Sequence, residues 1–386
     1  MKGCIIERNG SLRLKVSLGK NPQTGKYESY YETFHGNRTE AQKRLRQILT
    51  ELDKGVFVKP GRSTLAEYLR AWLDDYVKLN LSPRTHELYS YTCEKHIIPS
   101  IGYIALIDLK PQQIQRLYSE KLSSGLSART VQLLHVTLHK ALKSAVKTGL
   151  LARNISELVD KPKGKRHEWQ PLSEGDMHLF LDSARETEYY ELFYTTLLTG
   201  MRRGELLALR WQDIDLLLCQ ISVVRTMQYI VDATPDKRIS FKEPKTIKSR
   251  RLIALSPSTV AVLRDHKYKQ ERRRQALDLP PLQDSDLVFS HWDGTPLIPR
   301  SVTQAWRRLT RRIGLKGIRL HDARHTHASL MLKQGVHPKI VQERLGHSSI
   351  ALTLDTYSHV APGLQQAAAN KFDDLLMPRK EPIKAD

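Results

Sequence analysis

Two proline-containing breaks, VFVKPGRST (56–64) and DKPKGKRHEWQPLS (160–173), cut the chain into three stretches whose apolar residues repeat with different periods. Pro60-Gly61 marks the first break, and basic residues crowd the second. A chain of 386 residues suits two to three domains at roughly 150 residues each. The division predicts an α+β multidomain protein with domains at 1–55, 63–162 and 169–386.

The first stretch reads as strands to about residue 36. ERNGSLRLKVSL alternates Leu12, Leu14 and Val16 after an Asn9-Gly10 hairpin turn. NPQTGK is a second turn and YESYYETF a third strand. Thr39 and Gln42 fit a capping box, followed by Ala41, Leu45, Ile48, Leu49 and Leu52 at helical spacing. The expected module is a small three-stranded sheet packed on one helix. Its basic residues Arg8, Arg13, Lys15, Lys20 and Lys26 either face phosphates or form a solvated sheet face.

The second stretch is helical throughout. Leu65, Tyr68, Leu69, Trp72, Leu73 and Tyr76 form one apolar stripe, read as core rather than as a base-stacking platform. Ser82-Pro83 starts another helix, and PQQIQRLYSEKLSSG and SARTVQLLHVTLHKALKSAVKTG supply two more. The third stretch begins with the helices DMHLFLDSARE and ELFYTTLLTG. Gly200 ends the second of these, and Gly204-Glu205 opens the next helix. CQISVVRTMQYIV, RISFKEPK and RRLIAL then read as three short strands of a small antiparallel sheet. Lys245 lies in the turn between the last two, and helices resume near Ser256-Pro257.

The chain carries 62 Lys and Arg against 41 Asp and Glu, a net charge of +21. Such a field favours a polyanion, nucleic acid first. A membrane-surface role has no basic amphipathic helix or lipidation motif to support it, and no apolar run approaches spanning length. Cys4, Cys93 and Cys219 are widely spaced, which argues against a disulfide framework or a thiolate zinc site. MKGCIIERNGSLRLK lacks a signal-peptide core, so the expected setting is a reducing cytoplasm, in contact with DNA.

Three motifs hold the parts needed to break a phosphodiester without a metal. TGMRRGELLALRW contains Arg202, HDARHTHASL contains His321 and Arg324, and LGHSSIALTLDTYSHV contains His347 and Tyr357. The reaction needs a nucleophile, neutralisation of a phosphorane-like charge and a proton for the leaving alkoxide. Arginine suits the second task through its planar fork and permanent charge. Histidine moves protons near neutral pH, and a hairpin lysine suits protonation of a leaving 5′ oxygen. A tyrosine with a free pKa of about 10 needs nearby cations or a base to attack.

The neighbours of these residues read more plainly. His325 and His327 are helix-packing or capping residues, and Arg203 is a solvated or DNA-facing charge. Glu205 either orients an arginine or forms an ordinary ion pair within its helix. His321 and His325 imitate a zinc pair but lack HExxH and a third ligand, so no metal is expected. No Walker loop or GxGxxG occurs, so no cofactor is expected either.

Taken in order, these motifs resemble the tyrosine recombinases, specifically the phage-type integrases. TGMRRGEL is similar to the family's first-arginine motif and EPKTIKSRRLIAL to its hairpin-lysine segment. HDARHTHASL, LGHSS and LDTYSHV are similar to its His-x-x-Arg box, second-histidine motif and nucleophile motif. The resemblance implies catalytic roles for Arg202, Lys245, His321, Arg324, His347 and Tyr357, with Lys248 a neighbouring alternative to Lys245. It is dense over 195–363, and upstream it implies a helical, SAM-like core-binding domain and an N-terminal arm-binding domain.

It further implies attack by Tyr357 to give a 3′-phosphotyrosine, with the two arginines and His347 stabilising the transition state, Lys245 as acid and His321 as base. The implied partners are double-stranded DNA at core and arm sites, three further copies in a homotetramer, a host DNA-bending protein and an excisionase. Leu364, Ala368, Phe372 and Leu375 share one helical face of a tail that docks on a neighbouring protomer or on its own domain. The rival readings are a type IB topoisomerase and a catalytically inactive DNA-binding regulator.

Overall fold

The fold was obtained as a computed structural model, which describes residues 3–8, 11–20, 25–53, 63–164, 171–231, 234, 238–243, 250–357 and, near the end, 369, 370, 372, 373 and 376. Two units divide at Arg166/His167.

In the first unit, β1 (Gly3–Arg8), β2 (Ser11–Lys20) and β3 (Tyr27–Phe34) form an antiparallel sheet in that order. The alternation in β2 places Leu14 and Val16 on the face that packs against α1 (Arg38–Asp53) through Tyr30, Ala41 and Ile48. Direct pairing of Lys15 with Tyr31 and of Arg13 with Thr33 puts the cations on the opposite face. There Arg13 and Lys15 lie 4.7 and 5.7 Å from the Tyr31 ring centre, and Lys20 lies 5.9 Å from that of Tyr27. Lys26 is exposed.

The helix cap departs from expectation. Asn37 accepts from the Glu40 amide at 2.8 Å, and Glu40 reaches back to the Asn37 amide at 3.2 Å. The box therefore opens at Asn37-x-x-Glu40 rather than Thr39-x-x-Gln42. Asparagine is as good a cap as threonine, and a carboxylate accepts the returned bond better than an amide.

The helical part comprises α2 (Leu65–Trp72), α3 (Lys78–Asn80), α4 (Pro83–Thr92), α5 (Ile98–Ile101), α6 (Pro111–Ser123) and α7 (Ala128–Lys147). Thr64 and Glu67 cap α2 reciprocally, and Ser82 caps α4 with Pro83 at its first position. Two π-helical turns, Leu73–Val77 and Cys93–Ile97, continue α2 and α4. The first breaks the expected stripe: one extra residue per turn rotates Val77 into the core and leaves Tyr76 40% exposed.

In the second unit, α8 (Glu174–Ala184), α9 (Tyr190–Thr199) and α10 (Arg203–Leu206) precede the strands. β4 (Ile214–Asp215), β5 (Gln220–Val223) and β8 (Arg251–Ala254) form one sheet, while β6 (Thr226–Tyr229) and β7 (Ile239–Lys242) form another. The segment read as one strand, CQISVVRTMQYIV, is thus two strands in two sheets, broken at Val224-Arg225. Then come α11 (Pro257–Ala276), α12 (Pro299–Arg312), α13 (Asp322–Lys333), α14 (Pro338–Leu345) and α15 (Ile350–Tyr357). Phe180, Phe193 and Trp306 knit α8, α9 and α12 into the core. Among the described residues no helix is long and apolar enough to cross a membrane.

Candidate active site

Two helix C-termini organise the site. α9 ends at Gly200 and α14 at Gly346, both left-handed, with φ of 64° and 66°. The last carbonyls of a helix lack intrahelical partners and carry the negative end of its dipole. Arg324, on the first turn of α13 and almost fully buried, answers both ends. Its Nη1 donates to the Gly200 carbonyl at 2.8 Å and its Nη2 to that of Leu345 at 2.6 Å.

Gly200 serves twice over. A Cβ there would lie 2.7 Å from Leu345 Cδ2 and 2.8 Å from His327 Cδ2, besides occupying a left-handed conformation. Gly200→Ala is expected to destabilise the second unit by about 2 kcal/mol or more, measured as a lowered urea midpoint. An unchanged midpoint would show that α9 and α14 can part there without loss.

Beyond Gly200 the chain extends to Arg202, the N-cap of α10. Glu205 accepts from the Arg202 amide at 2.9 Å and from its Nη1 at 2.8 Å. Arg202 Nη2 donates to the Gly346 carbonyl at 3.0 Å. Each arginine is therefore fastened by the loop beside the other. With five N–H donors and a side chain 39% exposed, Arg202 keeps an edge open for an anion.

Two arginines share the Glu205 carboxylate. Arg251, at the start of β8, donates to Oε2 at 2.8 Å and to Oε1 at 3.2 Å. Burial opposes ionisation of Glu205, but the bond and charge of Arg251, then the charge of Arg202, outweigh it and hold the pKa below the ordinary value.

His347 follows Gly346 and shares a 2.9 Å hydrogen bond between Nδ1 and Thr353 Oγ1. Burial first, then Arg324 and Arg202, push its pKa down to about 3, so the ring is neutral at pH 7. When the hydroxyl donates, Nε2 carries the ring proton and can donate to an anion. His321 stands at the N-cap position of α13, and its ring meets that of His325 edge to face at 4.9 Å. Desolvation, then Arg324, also lower its pKa, leaving an imidazole able to accept a proton. Tyr357 ends α15 one helical turn beyond Thr353.

Arg202, Glu205, His321, Arg324 and His347 thus converge, while Lys245 and Lys248 lie outside the described residues. Arg203 turns away and donates to Thr303 Oγ1 at 2.6 Å and the Pro299 carbonyl at 3.3 Å. His327 packs as expected: Nδ1 meets the Leu197 carbonyl at 3.0 Å, and Nε2 accepts from Arg344 Nε at 3.0 Å.

Sequence reasoning missed Arg251 and Arg344. The signal for Arg251 is the period of two in RRLIAL: it shares the inward face with the fully buried Ile253, while Leu252 faces out. A cation on an inward face needs a buried carboxylate.

The phage integrase family profile matches residues 172–363, and that of the phage integrase N-terminal SAM-like domain matches 64–122. The chain is 27% identical to the tyrosine recombinase XerC-like protein of Caldanaerobacter subterraneus subsp. tengcongensis, across 95% of this chain and 96% of that one. It is also 27% identical to the ICEBs1 integrase of Bacillus subtilis, across 95% and 98%. The fold is similar to the Tn1549 transposon integrase in complex with transposon right end DNA, with TM-score 0.68, 19% identity, and 81% and 99% of the two chains covered. It is similar also to a lambda integrase tetramer bound to a Holliday junction, with TM-score 0.58, 18% identity, and 92% and 94% covered. Motif order, the paired arginines and these likenesses agree: the chain belongs to the phage integrase family and is a tyrosine site-specific recombinase, an integrase of mobile elements.

Proposed function

We propose that this integrase cuts and rejoins duplex DNA through a 3′-phosphotyrosine on Tyr357, inserting and removing its element. The observation that carries the reading is the mutual fastening of Arg202 and Arg324 by the turns at Gly346 and Gly200. Two guanidinium charges are thereby preorganised beside neutral imidazoles, which is the arrangement a developing pentavalent phosphate needs. Arg202 and Nε2 of His347 bond the nonbridging oxygens, and Arg324, deeper in the fold, adds its field.

Tyr357 Oη attacks phosphorus and passes its proton to His321. The bond from phosphorus to the 5′ oxygen breaks as Lys245 protonates that oxygen. The reverse steps, with a new 5′ hydroxyl, reseal the strand. Bond energy is conserved in the ester, so neither metal nor nucleotide takes part.

In this reading 1–55 binds arm sites, 63–162 binds core sites and 169–386 catalyses. The Arg13–Lys15–Tyr31 face of the sheet supports the first assignment. Four copies act on two sites of cytoplasmic DNA, with a host DNA-bending protein and an excisionase setting direction. The tail that carries Leu364, Ala368, Phe372 and Leu375, of which only Phe372 is among the described residues, docks on a neighbouring protomer.

The test is a nicked suicide duplex built on the junction that flanks the element, run on a denaturing gel. Wild-type chain is expected to form a covalent adduct. Tyr357→Phe is expected to abolish it and leave duplex binding unchanged. An adduct that survives the substitution overturns the assignment.

A further inference from the structure

We propose that Arg251 is a positioning residue for Arg202, gripping both groups that hold that guanidinium, the Glu205 carboxylate and the Gly346 turn. The inference rests on the phosphodiester-cleaving reading of Arg202.

The grip on Glu205 is two-pronged. Oε1 receives Arg202 Nη1 and Arg251 Nη1, while Oε2 receives the Arg202 amide and Arg251 Nη2. Rotation of the carboxylate would break bonds to both residues at once. Arg251 and Glu205 are 6% and 5% exposed, so water offers no ready substitute.

The grip on Gly346 is steric and polar. Arg251 Nε donates to the Arg344 carbonyl at 2.7 Å, two residues before Gly346. A Cβ on Gly346 would stand 3.1 Å from both Arg251 Cδ and Nη1, so the arginine stem lies against the turn whose carbonyl receives Arg202. The join is reciprocal, because Arg344 Nη1 donates to the Ala254 carbonyl of β8 at 2.8 Å.

Charge makes this more than a packing contact. Glu205 carries one negative charge and faces two guanidinium ions. Alone with Arg202, it would be free to turn and pair with it through both oxygens, the geometry a carboxylate prefers with arginine. That would neutralise the charge a phosphate needs and draw Nη2 from the Gly346 carbonyl. By occupying half of the carboxylate's acceptor positions, Arg251 leaves the Arg202 charge less offset and its guanidinium aimed.

The experiment compares full-length variants on two suicide duplexes, one with an ordinary scissile phosphate and one with a neutral methylphosphonate there. A neutral linkage has no anionic charge for Arg202 to offset. Arg251→Met is expected to lower single-turnover cleavage of the phosphodiester about 100-fold but that of the methylphosphonate less than about 5-fold. Arg202→Ala is expected to discriminate in the same direction.

Arg251→Lys keeps the buried charge and the fold while losing the two-pronged grip. It is expected to show the same discrimination with a smaller loss. Equal losses on both substrates in the folded variants would mean a structural role only and overturn the inference, as would a wild-type rate on the phosphodiester. Absence of any adduct with wild-type chain would instead overturn the underlying reading, and the inference with it.

Discussion

Glu205→Ala is expected to cost the second unit about 3–5 kcal/mol, because it leaves the buried Arg251 guanidinium without its counter-charge. Loss of the Glu205 carboxylate at the start of α10 adds about 1 kcal/mol, since the Arg202 amide loses its acceptor. Glu205→Gln keeps shape and one acceptor, so its stability loss should be smaller. Both variants should impair cleavage, because Arg202 would then be held through Gly346 alone of these two partners. Urea unfolding followed by circular dichroism checks the first part and single-turnover adduct formation the second. A double-mutant cycle with Arg251→Met should be strongly non-additive, since the two residues share one set of bonds. A Glu205→Ala chain with wild-type unfolding would mean that water enters beneath Arg202 and solvates Arg251.

This carboxylate also shows how far the sequence could be read. Its spacing from Arg202 allowed either an orienting role or an ordinary ion pair within the helix, and the structure shows the ion pair with a second arginine, Arg251, on the same carboxylate. The local bond is legible, since a residue three positions into a helix can reach back to the cap. The second bond spans 46 positions and depends on how β8 docks, which no spacing encodes. The left-handed end at Gly200 was legible for the reason the cap was: glycine enters that conformation without strain. What failed was insertion and competition. A π-helical turn displaced Tyr76 from a stripe drawn at 3.6 spacing, and Asn37 preceded Thr39 as a cap. The strand through Val224-Arg225 was lost because β5 and β6 pair with different partners, a choice made by the sheets and not by the segment.

The histidines of the site give the second large effect, a steep loss of stability in mild acid. Burial, then His321, lowers His325 to about 4. Burial, then Arg344, lowers His327 to about 3, and His347 lies at about 3 through burial, Arg324 and Arg202. Asp322 pulls the other way on His325, and the Leu197 carbonyl does so on His327, without restoring either. In the unfolded chain each ring titrates near its ordinary value of about 6.5. Between these limits the unfolded chain binds protons that the folded chain refuses, so stability falls as pH drops below about 6.5. The loss continues until the folded rings protonate. At pH 5 it approaches about 2 kcal/mol for each ring, of order 4–6 kcal/mol together, comparable with the whole stability of a domain. Glu205 adds to this only below its ordinary value, in a separate and more acid window. Urea midpoints of the second unit should therefore fall steeply from pH 6.5 to 5, with an uptake on unfolding of about three protons from His325, His327 and His347, to which the lowered His321 and His266 add. His327→Gln, which removes the ring between Leu197 and Arg344 and lies outside the proposed chemistry, should reduce that uptake by about one. A midpoint that stays level across this range would mean that the rings take up protons within the fold, and that the neutral imidazoles proposed to serve Tyr357 are not neutral there.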